Sequence, residues 1–278
     1  MTGSNKHKRH ARELQAARGG RYIRARRAVS RFHCPPITAT IGHGPEGRPV
    51  KIDLTRSYSW PIHIITGLTG TGKTVLAATI CHSLGEGRKA GDVSVTVSTP
   101  LAGGLWPRHA AVVDPLQTIE VIDEEMRRRE ELLRKASDKH RELVSRIETY
   151  PELGHRLPTK VFVLDPLELQ EPRAICEFLL SAAPKAQSLG LRFIATSQSD
   201  YLHHLGRAGM DLHRAVAAFI RLRGESKPFN GLETGCGVVR KGDSFFVPGK
   251  QDDDQLFTFK MLAIDYLQPM TGVEEARG

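Results

Sequence analysis

WPIHIITGLTGTGKTVLAATI, residues 60–80, decides how this chain folds. Residues 60–66 are an apolar run of strand length, leading straight into glycines. Residues 74–84 read as a helix, with Val75, Leu76, Ile80 and Leu84 on or near one face and Gly85 and Gly87 stopping it. Between strand and helix, Gly67-x4-Gly72-Lys73-Thr74 is a complete phosphate-loop pattern. Its glycines let the backbone wrap a polyphosphate without Cβ clashes, so that the N–H groups of residues Gly67, Leu68, Thr69, Gly70, Thr71 and Gly72 turn inward. Lys73 then reaches the β- and γ-phosphates, Thr74 holds Mg2+ through its hydroxyl, and the helix contributes its positive end. The expectation is an ATP site with Mg2+; the bland alternative is a glycine-rich turn without a ligand.

The remaining chain reads as alternating strands and helices, which predicts an α/β fold with a doubly wound, mostly parallel sheet. ITATI (37–41) and VKIDL (50–54) flank turn chemistry and predict a hairpin. DVSVTVST (92–99), KVFVLD (160–165) and LRFIATSQ (191–198) are strands. Asp114-Pro115-Leu116-Gln117 is a helix start, with Asp as N-cap and Pro behind it. Ile119, Ile122, Met126 and Leu133 form the apolar stripe of that helix, which continues to about Ile147 with a break near Ser137. Its charges, Glu124, Glu125 and Arg127 to Glu131, read as a solvated face. Pro172 to Ala183 is a further helix; a short helix and a strand fill 211–223, and 238–247 and 256–262 are late β-structure.

Asp165 closes an apolar strand at the carboxyl edge, where open α/β sheets bind ligands, and there it would hold Mg2+ through water. The next residue, Pro166, offers no base; Glu168 is three positions past Asp165, within reach of a turn. Ser197 and Gln198 end another strand at the same edge, where Gln198 could sense the γ-phosphate or orient water. Catalytic roles thus fall on Lys73, Asp165, Gln198 and Glu168, and metal binding on Thr74 and Asp165.

The four cysteines are scattered and form no CxxC pair, which points to reduced thiols rather than zinc or disulfides. His203, His204 and His213 are the nearest approach to a histidine cluster and read as surface or packing residues. No run of about 18 apolar residues predicts a membrane span, and the basic N-terminus lacks the apolar core of a secretion signal; a cytoplasmic protein is expected. The net charge of +9 resides in residues 1–32, which carry ten Lys/Arg against Glu13 alone, while the remainder balances 30 basic against 30 acidic residues. The expected organisation is a basic arm at 1–33, partly helical or disordered, an ATPase domain at 34–268 and a disordered tail at 269–278.

With these residues in place, the stretch from about Ile37 to Gln268 resembles the motor domain of FtsK/HerA-type DNA translocases, in the short form without a membrane region that serves plasmid or mobile-element transfer. The resemblance rests on the phosphate loop, VVDPLQTIEVIDEEMRRREELL (112–133), the strand ending in Asp165, GLRFIATSQ (190–198) and GCGVVRKGDS (235–244). It implies a RecA-like core, a homo-oligomeric ring of six subunits with ATP at the interfaces, and double-stranded DNA as partner. Arg221 and Arg223 are the candidates for an arginine acting across an interface. The sequence departs from the family pattern at STPL (98–101) and at Pro166, in place of the family's glutamate. Two readings follow: an ATP-driven translocase, or an ATP- and DNA-binding protein with weak or no hydrolysis that regulates or anchors a motor. A small-molecule kinase would need neither the arm nor the long helical insert.

Overall fold

The computed structural model describes residues 37–44, 47–54, 61–85, 92–101, 104–140, 157–198, 202–222, 236–241 and 255–258. The expected arm, the tail, the helical pattern beyond His140 and Arg223 lie outside them. The chain divides into two compact units, one of residues 36–130 with 158–278, the other of 1–35 with 131–157.

The first unit is built on a ten-stranded sheet of order β2-β1-β10-β9-β8-β3-β7-β6-β4-β5. Six strands run parallel: β5 (Ala111–Val113), β4 (Val93–Ser98), β6 (Thr159–Leu164), β7 (Leu191–Ser197), β3 (Ile62–Thr66) and β8 (Ala218–Leu222). The antiparallel flank holds β9 (Cys236–Lys241), β10 (Gln255–Thr258), β1 (Thr38–His43) and β2 (Pro49–Asp53). The hairpin expected at 37–54 is β1–β2, with a register shift between Thr40 and Gly42.

Every residue of β3 and β7 is buried, as apolar runs of this kind require. Alternate side chains point to opposite faces. On one face Ile65, Val95, Val97, Val161, Val163, Ile194 and Ile220 join Leu76, Ile80 and Leu84 of helix α1 (Lys73–Gly85) and the hairpin in a single apolar cluster. The alternate residues include Phe162 and Phe193, whose rings stack with centroids 6.0 Å apart. Backbone amide Thr40 donates to Ser83 Oγ at 2.9 Å, tying the hairpin to α1.

Helix α2 (Thr118–His140) starts one short 3-10 turn later than Asp114-Pro115 predicts, because Pro115–Gln117 forms that turn and Asp114 Oδ1 accepts from the Leu116 amide. Ile122 and Met126 of the expected stripe are buried. Ser137 does not break the helix; its hydroxyl donates to the Leu133 carbonyl at 2.8 Å. Residues 131–140, the described part of the second unit, carry surface pairs such as Arg134 with Glu131 at 2.8 Å and Asp138 at 3.1 Å.

The solvated-face reading of the α2 charges fails at one position. Arg129 is 1% exposed. Its guanidinium donates to the carbonyls of Leu189 and Pro158, each at 2.8 Å, and to Glu125 at 2.6 Å. Arg129 thereby satisfies two carbonyls just ahead of β7 and β6. Helix α3 (Pro172–Ser188) outruns its expected end at Ala183, passing through Pro184 and burying Ala186. Helix α4 is Gly206–Arg214.

Candidate nucleotide site at the carboxyl edge of the sheet

The site is assembled by the carboxyl ends of β3, β6 and β7. After β3 the chain turns through residues 67–72, with Gly70 at φ 82° and Gly72 at φ 92°, values that glycine alone adopts without strain. Gly67 is required for space: a Cβ there would lie 2.6 Å from Thr71 Oγ1 and 3.1 Å from Leu222 Cβ. Leu68, Thr69 and Gly70 are exposed at the loop's crest, while Lys73, the first residue of α1, is buried beneath it. Lys73 Nζ donates to the Gly67 and Leu68 carbonyls, both at 2.8 Å, so the charge is folded back under the loop. Burial lowers its pKa, and the carboxylates of Glu168 and Asp165 oppose that shift.

Asp165 follows β6 directly and is 1% exposed. Its Oδ1 accepts from Thr196 Oγ1 at 2.6 Å and from Thr74 Oγ1 at 3.1 Å. Its Oδ2 is buried and has no hydrogen-bond partner among the described residues. Burial raises the Asp165 pKa; hydrogen bonds from Thr196 and Thr74 and the Lys73 charge work the other way. A cation held against Oδ2 would favour the ionised form. The donor set, one carboxylate and one hydroxyl, suits a hard cation that takes most of its ligands from phosphates and water. No cluster of three or more His, Cys, Asp or Glu side chains suited to a metal occurs among the described residues.

The Asp165–Pro166 peptide is cis, and Leu167–Leu169 form a 3-10 turn. Leu167 is fully buried, and Gln170 Nε2 donates to Ser98 Oγ at 2.7 Å, which anchors both ends of the turn. Ser98 is bonded in turn to Thr118 Oγ1 at 2.6 Å. The turn presents Glu168 to the end of β7. Glu168 Oε1 accepts from Ser197 Oγ at 2.6 Å and from the Gln198 amide at 2.7 Å. Gln198 itself is exposed just past β7. Arg221 lies on β8, opposite Thr66 in the parallel register.

Loop, Lys73, Thr74, Asp165, Glu168, Ser197 and Gln198 therefore converge. Sequence reading missed two members of this group. Thr196 was passed over although it lies inside LRFIATSQ, with its place directly before the polar pair Ser197-Gln198 as the available signal. His204 approaches Glu168 from a turn with no local signature.

Comparison with known proteins bears on this arrangement. No family model matches the chain. It is 25% identical over 226 residues to the DNA translocase SftA of Bacillus subtilis, a match that covers 76% of this chain and 23% of that protein. The cytoplasmic domain of the type VII secretion ATPase EccC of Thermomonospora curvata superposes with a TM-score of 0.64 at 19% identity, over 81% of this chain and 29% of that one. The conjugation coupling protein TcpA of pCW3 gives 0.57 at 18% identity, over 83% and 68%. The fold is the one these solved ATPase domains share. The chain spans about a quarter of the curated relative it matches.

Proposed function

We propose that this FtsK-like domain binds ATP with Mg2+ in the 67–74 loop and hydrolyses it to move or transfer double-stranded DNA, as a homo-oligomeric ring in the cytoplasm. The observation that carries the enzymatic half is the convergence of Lys73, Thr74, Asp165 and Glu168 at one sheet edge. Thr74 and Asp165 would hold Mg2+, which supplies charge neutralisation for the β- and γ-phosphates. Lys73, freed from the loop carbonyls, pairs with the same phosphates. Glu168 accepts a proton from water while the water oxygen attacks the γ-phosphorus. The bond from that phosphorus to the bridging oxygen breaks, and ADP leaves with its electron pair. The proton passes from Glu168 to solvent, leaving ADP and phosphate. Gln198 stands beside Glu168 as the residue to orient the water.

Pro166 removes the base from the position after Asp165, and the binding-only reading rests on that substitution. The approach of Glu168 supports hydrolysis instead. The DNA half is supported by the relative named a DNA translocase, by the neighbour named a conjugation coupling protein, and by the polycationic arm. Among the described residues no helix is long and apolar enough to cross a membrane. ATP turnover measured with and without duplex DNA tests the proposal: stimulation by DNA is expected, and turnover that ignores DNA over a range of salt would refute the translocase reading.

A further inference from the structure

The chemistry assigned to Glu168 needs its carboxylate held in one orientation, and a surface glutamate on a 3-10 turn has no such constraint of its own. The structure supplies one from β7 and from the segment after it. Ser197 Oγ and the Gln198 amide approach Glu168 Oε1 at 2.6 and 2.7 Å, and His204 Nε2 approaches the same oxygen at 3.2 Å. Glu168 Oε2 is buried and has no partner among the described residues. One oxygen thus accepts hydrogen bonds from Ser197 and the Gln198 amide and faces the His204 ring nitrogen, while the other is left with both lone pairs. Tying both oxygens would consume the base, and tying neither would leave it free to rotate.

His204 arrives by a backbone that is itself fixed. Leu202 is fully buried with φ 54°, a left-handed conformation that a branched-chain residue adopts only where packing holds it. The Leu205 amide donates to the Leu202 carbonyl at 3.0 Å, closing the 3-10 turn His203–Leu205 that leads into α4. The His204 side chain is 39% exposed and Glu168 is 19% exposed, so the contact lies at the rim of the site rather than inside the core. A histidine placed there for packing alone would turn an apolar face inward; this one presents a ring nitrogen to a carboxylate oxygen.

We propose that His204 is a positioning residue for Glu168: with Ser197 it fixes Oε1, so that Oε2 is the oxygen that takes the proton. The inference rests on the hydrolysis reading above. The competing account is that these contacts only stitch the turn after β6 to the end of β7. The two differ in what His204 moves. Stitching affects folding and nucleotide binding; positioning affects the chemical step.

The test uses the full chain with duplex DNA present, measuring steady-state ATP turnover and the affinity of a fluorescent, non-hydrolysable ATP analogue for wild type, Glu168→Gln, His204→Leu and His204→Gln. Glu168→Gln should lose roughly 10²-fold or more in kcat. His204→Leu should lose roughly tenfold in kcat, with analogue affinity and thermal midpoint close to wild type, and His204→Gln, which restores an N–H donor, should recover most of that loss. Wild-type turnover unchanged by Glu168→Gln, or absent altogether, overturns the assignment of the base and the role of His204 with it. Loss on Glu168→Gln together with full kcat in His204→Leu overturns the positioning role and leaves the base standing. A His204→Leu variant whose analogue affinity falls in parallel with kcat, without rescue by glutamine, assigns the residue to the stitch.

Discussion

Lys73 and Arg129 are both buried cations, yet their surroundings commit them differently. Lys73 spends its donors on two carbonyls of its own loop, which a polyphosphate can replace. Charge-assisted hydrogen bonds contribute about 1.5–3 kcal/mol each, so Lys73→Ala should weaken ATP binding roughly 10- to 100-fold, as read by titration of a fluorescent ATP analogue. Unchanged affinity would remove the loop from the mechanism. Arg129 has nowhere else to turn: both carbonyls take their side-chain hydrogen bonds from it, and it shares Glu125 with Arg128. Arg129→Ala should cost about 1–3 kcal/mol of stability in chemical denaturation, because it leaves one buried and one part-buried carbonyl unpaired. The pH dependence follows from Glu125. Burial opposes its ionisation, but hydrogen bonds from Arg128 and Arg129 and their charges outweigh burial and bring its pKa from 4.5 down to about 2. A carboxylate with a depressed folded-state pKa stabilises fully above its unfolded value and loses that contribution as pH falls through the folded one. The stability gap between wild type and Glu125→Gln should therefore be widest at neutral pH and narrow as pH falls from 4.5 towards about 2.

At the scale of elements, the strands that carry the site were legible because each is a buried apolar run ending in a polar residue. The runs 60–66, 160–165 and 191–198 became β3, β6 and β7, with their functional residues at the edge the pattern implies. Short or interrupted elements were not legible. Ala111–Val113 has three residues, two of them exposed, and so lacks any alternation or run that a reading could detect. Proline costs a helix interior about 3 kcal/mol, yet α3 runs past the expected end at Ala183 and through Pro184 to Ser188, with Ala186 buried and the Leu189 amide bonded to the Lys185 and Gln187 carbonyls. Arg129 was hidden because neighbours on one helix face share its charge, and only tertiary packing singles it out. His204 was hidden because its partner is 36 residues back in sequence. The turn that carries His204 yields a prediction of opposite sign to helix propensity. Alanine is favoured over glycine by about 1 kcal/mol inside a helix. At Gly209 of α4, however, a Cβ would collide with the Leu202 carbonyl oxygen and come within 2.6 Å of Leu205 Cβ. Backbone cannot move aside as a flexible side chain does, so Gly209→Ala should destabilise by about 1–3 kcal/mol in chemical denaturation. A gain in stability would show that the α4 contact yields freely.

At the scale of the whole molecule, charge is divided as sharply as structure. The +9 resides in residues 1–32, and everything after Phe32 is electrically balanced. Ten cations in so short a segment repel one another, which makes the segment a candidate partner for a polyanion. We propose that the arm serves as a tether for duplex DNA; the bland account is a solubilising tail. The two accounts part on salt. If six to ten phosphates are neutralised, affinity for random duplex DNA should fall roughly 10³- to 10⁵-fold between about 50 and 200 mM salt. Only Tyr22 and Phe32 are aromatic among the arm's residues, so base stacking adds little and sequence preference should be small. Deleting residues 1–32 should remove most of the affinity at low salt and flatten the slope of log affinity against log salt. Basal ATP turnover without DNA should stay unchanged, since every residue assigned to the chemistry lies after Ile62. A truncated protein that keeps both the affinity and the slope of the full chain would place DNA binding on the balanced globule and leave the arm without a role in it.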